Sequence, residues 1–405
     1  EIIIVGAGAA GLMAARELAK AGKKVLILES RNRIGGRIMP LDEAEFGYPA
    51  QGGAEWVHGA APVTRALVKE AGLSIISEEG EIWSARNGQL TLQTQFADGD
   101  ETLKEKLALL KEDIPLADFL EQNFKEDKYI NFKNSVTKAA EGYDAADPGL
   151  ISTFTLRDEW LTESEWRDGK IKGGYGKLLD FLKSECKKLG VEISLNVRVE
   201  EIALNNSDVS VFANGQEYKA PKVIVTVPLP VLKDIKFNPE FQEKLELASK
   251  IGFGNATKLI IKFKTRWWDK ILDKDLSKMM FMLCNEKFLT WWTQYPEINP
   301  VLVGWMAGPE AKKQENASDE ELLDMALESL INVFKIDRGL LKKEIVSYKA
   351  VNWQKDPFTK GSYSYTTAYT KDAYKLLAKP ITDSIFFAGE ALFSGITTAT
   401  VEGAL

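Results

Sequence analysis

The first thirty residues show two kinds of hydrophobic pattern, and each kind predicts a different element. A continuous apolar run at residues 2–5 is typical of a strand that is buried on both faces of a parallel sheet. Apolar side chains then recur at helical spacing until Gly22, a residue type that commonly ends helices. A second apolar run at residues 25–28 ends at Glu29. The chain is therefore predicted to begin with a strand, a turn, a helix and a second strand.

The same patterns predict further elements downstream. Residues 258–263 alternate apolar with basic side chains, which predicts a half-buried strand. Ser318 and Glu321 have the spacing of a capping box, which predicts a helix over residues 318–334. The other predicted helices cover residues 101–110, 115–123 and 178–188, and a last helix begins near residue 398. The other predicted strands cover residues 191–195, 208–212, 223–227, 301–306 and 385–387.

Composition and charge exclude several classes of protein. Hydrophobic residues make up 45% of the 405 residues and charged residues 27%, so disordered and fibrous proteins are excluded. A net charge of −7 argues against a nucleic-acid partner or an anionic membrane surface, and it is compatible with a small cationic substrate. The single histidine, His58, and two widely separated cysteines provide neither a zinc site nor a disulfide framework.

The sequence also bears on location. No apolar run reaches the roughly 18 residues that a membrane-spanning helix needs. The chain starts without methionine inside a predicted strand and ends inside a predicted helix, which is compatible with a signal or anchor having been trimmed. The expected location is cytoplasmic, and the sequence sets no oligomeric state.

A glycine-rich motif joins the first predicted strand to the first helix. Gly6, Gly8 and Gly11 have the spacing of a dinucleotide fingerprint, with Ala10 inside it and Glu29 at the end of the next strand. The glycines allow a tight turn, close approach of a pyrophosphate and close packing of helix on strand. Glu29 would accept a hydrogen bond from a ribose 2′-hydroxyl, and its charge disfavours NADP. The motif predicts a bound dinucleotide and leaves the choice between NAD and FAD open.

The residues that follow resemble a known family. From Glu29 to Arg37 the chain reads E-x-R-x-R-x-G-G-R, which is similar to the second signature of the flavin-containing amine oxidases. The resemblance continues over the whole chain in the family's order. The run Trp56-Val57-His58-Gly59 is most similar to the polyamine oxidase branch. The other matching segments are residues 53–55, 226–229, 252–258, 353, 361–365 and 388–390.

The resemblance implies an α/β fold with two interleaved domains. One is a discontinuous, Rossmann-type FAD-binding domain, and the other is an α+β substrate domain of mixed sheet and helices. The implied FAD-binding segments are residues 1–75, 173–245 and 356–405, and the implied substrate-domain segments are residues 76–172 and 246–355.

The resemblance also assigns residues to the cofactor. It implies that Arg37 pairs with the pyrophosphate, that Gly36 and Gly53 let the backbone approach FAD, and that Val199 bonds adenine through its backbone. It further implies that the last helix directs its N-terminus toward the flavin. The remaining implied cofactor-binding residues are Arg31, Ala54, Glu55, Trp56, Trp353, Gly389, Glu390, Thr398, Ala399 and Thr400.

Three residues are implied to be catalytic, each with a structural alternative. Lys258 matches the lysine that holds a water at flavin N5, although a lysine at a strand end is ordinarily a surface residue. Tyr363 matches one wall of an aromatic cage for the amine or is a packed strand residue, and Thr400 stands where monoamine oxidases have the second tyrosine. His58 is implied to bind the amine or move a proton, or else to be a core residue. Glu55 either binds a distal ammonium or caps a turn.

The mode of FAD attachment follows from one position. Ser362 stands where monoamine oxidases carry the cysteine that tethers their flavin. A serine hydroxyl cannot form that thioether, so the resemblance implies noncovalent FAD.

The implied activity is the FAD-dependent oxidation of an amine to an imine and then an aldehyde, with O2 reduced to H2O2. A polyamine-like or other primary or secondary amine is the implied substrate. Residues 53–59 contain no arginine to bind a substrate carboxylate, which weakens the alternative of an L-amino-acid oxidase or other flavin desaturase. The other alternative is a flavin-carrying scaffold protein with little turnover.

Overall fold

Strands and helices alternate through the chain, which a computed structural model describes over residues 1–77, 79–86, 88–93, 101–161, 168–206, 208–370, 372–393, 395 and 398–405. The strands are β1 (Ile2–Val5), β2 (Val25–Leu28), β3 (Trp56–Val57), β4 (Ile75–Ser77), β5 (Glu81–Arg86), β6 (Gln89–Gln93), β7 (Gly169–Ile171), β8 (Glu192–Ser194), β9 (Val199–Leu204), β10 (Val209–Ala213), β11 (Gln216–Ala220), β12 (Lys222–Val225), β13 (Lys236–Asn238), β14 (Gly252–Phe253), β15 (Ala256–Phe263), β16 (Lys270–Ile271), β17 (Lys274–Asp275), β18 (Met279–Cys284), β19 (Thr290–Trp292), β20 (Val301–Ala307), β21 (Ile345–Asn352), β22 (Ser364–Tyr365) and β23 (Ile385–Phe387). The helices are α1 (Ala9–Lys20), α2 (Glu43–Phe46), α3 (Pro62–Glu70), α4 (Glu101–Ala108), α5 (Leu116–Asn123), α6 (Ile130–Tyr143), α7 (Thr153–Leu161), α8 (Tyr175–Lys188), α9 (Leu229–Leu232), α10 (Gln242–Lys250), α11 (Gly308–Lys313), α12 (Asp319–Phe334), α13 (Arg338–Glu344), α14 (Ala373–Ala378) and α15 (Val401–Ala404).

A parallel sheet carries the glycine-rich motif. Its strand order is β23-β12-β1-β2-β8, and every neighbouring pair is parallel. All four residues of β1 are buried, because helices such as α1 and α8 cover one face while the apolar cluster that includes β9 and β10 covers the other. The chain leaves β1 toward β2 on one side and β12 lies on the other, so a topological switch point lies beside β1. Ligands of open parallel sheets bind at such a point, beyond the carboxyl ends of the strands.

A larger, mixed sheet forms the second layer of the molecule. Its strand order is β21-β15-β20-β19-β18-β5-β6, with β18 and β5 parallel and the other pairs antiparallel. One face packs on α12 in a core that contains Leu259, Ile261 and Trp268. The predicted α/β fold, with a Rossmann-type sheet and an α+β part of mixed sheet and helices, is confirmed.

The prediction that β15 is half-buried is wrong. Seven of its eight residues are buried, including Lys258. The strand lies between β20 and β21, and both of its faces pack inside the protein, with Leu259 and Ile261 in the core beside α12 and Ile260 in a second apolar cluster. The lysines that suggested a solvent-facing side instead have partners within the protein: Lys258 binds Glu55, and Lys262 donates to the carbonyl of Glu45.

Small sheets connect the stretches assigned to different domains. Strand β7 pairs with both β3 and β4, and β14 pairs with β22. These pairings join residues on opposite sides of the predicted boundaries near residues 75 and 355. The predicted boundaries themselves stay predictions. Among the described residues, no helix combines the length and apolar content that crossing a bilayer requires.

The ends of the predicted helices shift by a few residues. The capping box at Ser318 and Glu321 is present, with both hydrogen bonds formed. The last helix begins at Val401 rather than near residue 398, because Thr400 is its N-cap and accepts a hydrogen bond from the N–H of Gly403 at 3.2 Å.

Candidate active site

The three glycines of the motif are required for different structural reasons. Gly6 has φ of +106°, a conformation that L side chains rarely adopt. A Cβ added to Gly11 would overlap the carbonyl oxygen of Gly6, so this position must be glycine for α1 to pack on β1. A Cβ added to Gly8 would meet nothing within 4 Å. Gly8 therefore borders open space at the N-terminus of α1, where a pyrophosphate would lie.

This contrast gives a matched pair of substitutions. We expect Gly8→Ala to fold normally and to weaken FAD binding by about tenfold or more, because the new methyl group enters only the cofactor's space. We expect Gly11→Ala to destabilise the protein, because its methyl group overlaps backbone. Thermal unfolding of the flavin-free proteins and titration with FAD separate the two effects. Equal flavin affinity in wild type and Gly8→Ala would contradict the placement of the pyrophosphate.

Glu29 organises the loop around the motif. Its carboxylate accepts hydrogen bonds from the N–H groups of Ala7 at 2.7 Å and Arg31 at 2.8 Å, and the residue is buried. The Arg31 side chain forms a bidentate ion pair with Asp356 at 2.8 Å and donates to Thr359. Arg31 thus connects the first part of the chain with a late segment, and cofactor binding by Glu29 and Arg31 stays a prediction.

Arg37 lies at the next turn. Its guanidinium donates to the Glu390 carboxylate at 2.7 Å and to the Ser362 carbonyl at 2.9 Å. Glu390 also accepts from the hydroxyl of Ser364 at 2.7 Å. A Cβ on Gly53 would overlap the Arg37 carbonyl oxygen, so packing against the protein backbone is enough to require glycine there.

A cleft lies beside this pair, at the carboxyl ends of β12 and β23. Arg37, Thr226, Gly389 and Glu390 contribute to its lining. A Cβ on Gly389 would meet nothing within 4 Å, and the buried hydroxyl of Ser362 has no hydrogen-bond partner among the described residues. Open space beside two glycines, an orphaned hydroxyl and an arginine together fit a large polar cofactor that carries phosphates.

Other residues predicted to bind the cofactor lie on several different elements. Ala10 is in the first turn of α1, and Val199 begins β9. A Cβ added to Gly36 would lie 3.5 Å from the Cα of Gly8. Ala54 donates its N–H to the carbonyl of Arg37 at 3.2 Å. The remaining three residues, Thr398, Ala399 and Thr400, precede α15. Their roles toward FAD stay predictions.

Lys258 and Glu55 form a buried ion pair. The Nζ atom of Lys258 lies 2.6 Å from Oε2 of Glu55 and 3.1 Å from the carbonyl oxygen of Gly53. A second lysine, Lys170, lies 2.8 Å from the other oxygen of Glu55. Burial alone would raise the pKa of Glu55, but Lys170 and Lys258 lower it to about 2. Burial lowers the pKa of Lys258, and Glu55 opposes that shift. The Glu55 carboxylate is thus engaged by two lysines, and its roles toward cofactor and substrate stay predictions.

Aromatic rings enclose this cluster. Trp292 donates from Nε1 to both oxygens of Glu55 at 3.2 Å, and Lys258 Nζ lies 5.2 Å from the centre of the Trp292 ring. Lys170 Nζ lies 3.9 Å above the Trp56 ring. Trp353 is buried and donates to the carbonyl of Gly52, so it packs under the glycine turn that precedes Glu55.

Tyr363 joins the surroundings of Arg37 to a group of acidic side chains. It directly follows Ser362, whose carbonyl accepts from Arg37, and its hydroxyl donates to the Tyr143 carbonyl at 2.7 Å. Burial raises the pKa of Tyr363, and Asp144 adds to the shift, so the phenol stays neutral. The position is compatible with the predicted role as a wall beside the amine.

His58 is held by Asp168. Its Nδ1 atom lies 2.9 Å from Oδ2 of Asp168, and Oδ1 of the same carboxylate accepts from the N–H of Gly59 at 2.8 Å. Burial alone would raise the pKa of Asp168, but the hydrogen bond from His58 and its charge lower it. The imidazole stands edge-on to Tyr143, with ring centres 5.7 Å apart.

Two further carboxylic acids border the same space. Burial raises the pKa of Asp144 well above its usual range, and the nearby Glu159 raises it further. Burial also raises the pKa of Glu159 to about 7, although His58 opposes that shift. Protein surrounds these groups, yet Tyr143 keeps 38% of its surface accessible and Oδ2 of Asp144 has no partner among the described residues. These side chains form one group, which we call the acidic cluster and define by His58, Tyr143, Asp144, Glu159 and Tyr363.

Sequence reasoning did not find Asp144, Glu159, Asp168 or Lys170. Each lies in a segment without a motif, and each reaches the site only through long-range packing. Lys170 is the direct neighbour of Trp56 across two short antiparallel strands, and the sequence carries no signal that pairs those strands.

Comparisons with known proteins agree with this geometry. Residues 9–405 match the family model for flavin containing amine oxidoreductase. Polyamine oxidase 2 from Arabidopsis thaliana is 29% identical over 442 residues, which cover 100% of this chain and 85% of that protein. Lysine-specific histone demethylase 1 homolog 3 from Arabidopsis thaliana is 26% identical, and the match covers 96% of this chain but 28% of that protein.

Solved structures show the same fold. Putrescine oxidase bound to putrescine has a TM-score of 0.81 at 20% identity, covering 100% of this chain and 96% of that one. Cyclohexylamine oxidase from Brevibacterium oxydans IH-35A has a TM-score of 0.80 at 17% identity, with the same coverage. The predicted resemblance and the predicted flavin cofactor, FAD, are therefore confirmed at the level of the family. With nearly its whole length matched by the family model, the chain belongs to the flavin-containing amine oxidoreductases.

Proposed function

We propose that this protein oxidises an amine that carries at least one further cationic nitrogen, such as a polyamine, and transfers the electrons to O2. The observation that carries the proposal is the acidic cluster, which Tyr363 joins to the residues beside Arg37. In the overall reaction, amine, water and O2 give an aldehyde, the released amine or ammonia, and H2O2. A bound flavin supplies the two-electron acceptor for this reaction.

Charge supports a cationic substrate. Asp144 and Glu159 are half-buried, and burial together with the charge of Glu159 raises the pKa of Asp144. An ammonium group beside these carboxyl groups would stabilise their ionised forms and would pair with Oδ2 of Asp144, which has no partner among the described residues. The acidic cluster therefore fits a cation better than it fits water or a carboxylate-bearing substrate.

The reacting nitrogen has different requirements from the distal one. An amine must be neutral at nitrogen to lose hydride from its α-carbon, so the group beside the flavin must shed its proton. His58 belongs to the acidic cluster, and Asp168 fixes its Nδ1 side, which leaves Nε2 as the atom that can accept a proton. The buried rings of Trp292 and Trp353 exclude water from the surroundings of Lys258.

The test is anaerobic bleaching of the bound flavin. Purified holoprotein is mixed with spermine, N-acetylspermine, putrescine, benzylamine and several L-amino acids, and the absorbance of oxidised flavin is followed. The proposal expects rapid bleaching by one or more of the polycationic amines and slow bleaching by benzylamine. Bleaching by L-amino acids alone would identify an amino-acid oxidase. Flavin that only dithionite reduces would point to a scaffold with little turnover.

The attachment of the flavin gives a separate prediction. Ser362 is a buried hydroxyl with no thiol chemistry, so FAD is expected to be noncovalent. After acid precipitation, the yellow chromophore should appear entirely in the supernatant, and guanidinium followed by desalting should give colourless protein. Flavin that remains with the washed pellet would contradict this expectation.

A further inference from the structure

The Glu55 carboxylate joins two lysines from separate strands. Oε2 binds Lys258 of β15 at 2.6 Å, and Oε1 binds Lys170 of β7 at 2.8 Å. Glu55 and Lys258 are almost fully buried, whereas the Lys170 side chain keeps 18% of its surface accessible. With all three groups ionised, two ammonium ions and one carboxylate leave one net positive charge inside the protein. We call this arrangement the lysine cluster.

Few other groups oppose or add to that charge. Tyr48 lies near Glu55, and burial together with the Glu55 charge raises its pKa, so it is neutral. Gln294 is neutral and contacts both Lys170 and Glu55. Trp292 is neutral and donates to Glu55. Apart from Glu55, no carboxylate shifts the pKa of Lys258 among the residues that the structure describes.

Lys258 has one N–H left for another molecule. An ammonium group has three N–H donors, and Glu55 and the Gly53 carbonyl accept two of them. The remaining donor suits a water or a polar edge of the flavin, as expected from the proposed role of this residue. Lys258 can donate this hydrogen bond as an ammonium ion only while it is protonated. Burial opposes that protonation and Glu55 favours it.

We propose that Glu55 is a positioning residue that keeps Lys258 as an ammonium ion beside the flavin, with Lys170 as the second cation, so that the cluster presents one net positive charge to the cofactor. This inference rests on the proposed placement of Lys258 at the flavin. A nearby positive charge favours the reduced flavin, which carries more negative charge than the oxidised form. The lysine cluster therefore raises the reduction potential of the cofactor, and Glu55 makes that effect independent of pH in the neutral range.

The experiment measures the midpoint potential of bound flavin in wild type and Glu55→Gln from about pH 6 to about pH 9. Reduction uses dithionite with a reference dye, so no amine is involved. Without the carboxylate, burial and repulsion from Lys170 both favour neutral Lys258, the more buried of the two lysines. Lys258 then loses its proton within this range, and the potential of the variant falls with pH more steeply than that of wild type. The expected extra fall corresponds to about tenfold in the ratio of reduced to oxidised flavin, or about 30 mV for a two-electron couple.

Two further variants complete the test. Lys170→Met removes one cation but leaves the Lys258–Glu55 pair, so its potential is expected to lie below that of wild type by a constant amount at every pH. Glu70→Gln is the matched control, because it breaks an ion pair with the buried Arg16 outside the site and should leave the potential unchanged.

The outcomes are separable from those of the proposed function. If the midpoint potential falls equally with pH in wild type and Glu55→Gln, the inference is overturned, whatever amine the enzyme oxidises. If Glu55→Gln does not fold, Lys170→Met decides, because an unchanged potential in that variant would overturn the inference equally. Failure of every amine to bleach the flavin would overturn the proposed function and leave these potentials measurable.

Discussion

Replacing Lys258 with methionine is expected to slow the reaction of the reduced enzyme with O2 by roughly 100- to 1,000-fold, the usual effect of removing one preorganised charge from an active site. Oxygen accepts electrons to become an anion, and a fixed ammonium group stabilises that developing charge. Methionine is similar to lysine in length and suits a buried position. The fold should persist, because Glu55 keeps its ion pair with Lys170 at 2.8 Å.

Stopped-flow spectroscopy checks this expectation. The enzyme is reduced anaerobically with dithionite and mixed with buffer that contains oxygen, and the return of flavin absorbance is timed. Lys262→Met is the matched control, since Lys262 is on the same strand but donates to the Glu45 carbonyl. Equal reoxidation rates in wild type and Lys258→Met would remove Lys258 from the oxygen reaction.

Asp144→Asn is expected to raise KM for a diamine or polyamine by about 10- to 100-fold, the range for losing one charge-assisted hydrogen bond. The effect on a monoamine such as benzylamine should be much smaller, because that substrate has no second ammonium to place beside the acidic cluster. Steady-state kinetics with both substrates give the comparison. Asp147→Asn is the control, because this nearby carboxylate is exposed and accepts from the N–H of Gly149. Equal changes in KM for both substrates would contradict a distal site at Asp144.

Glu159 adds a pH dependence to the same site. Its pKa is raised to about 7, so the group is neutral at lower pH and binds a cation only after it loses its proton. KM for a diamine should therefore fall as pH rises through about 7, and Glu159→Gln should abolish that fall. The linked effect on stability has the opposite sign. Because the folded state binds this proton more tightly than the unfolded state does, wild type loses stability relative to Glu159→Gln as pH rises from the ordinary glutamate range to about 7. Thermal unfolding at several pH values would show no such difference if the carboxyl group is not confined.

The nucleotide-binding part of the fold was predictable because its signals are local. Strand β1, the turn at Gly6 and helix α1 follow one another within twenty residues, so pattern and motif determine them together. The mixed sheet was harder to predict, since its strands pair across long sequence separations. The burial of β15 shows the difficulty: alternation of lysines with apolar residues has the same appearance whether the lysines meet water or internal partners.

The residues of the candidate site were predictable where they match motifs of the family. Contacts between residues far apart in the sequence were not predictable. Glu55 was placed near the cofactor, but its two lysine partners come from distant strands. The neighbouring tryptophans illustrate the same limit. Alternation along β19 directs Trp291 into the apolar core and Trp292 to Glu55, and the sequence alone could not distinguish them.

The cofactor cleft is assembled from the two ends of the sequence. Arg37 and Glu390, which close one side of it, are separated by 353 positions, and β23 completes the parallel sheet only after residue 385 has been synthesised. A nascent chain on the ribosome therefore cannot form the complete cleft until almost all of these residues have emerged. FAD is therefore expected to bind only after β23 has emerged, so its capture would report that the early and late segments of the cleft have come together.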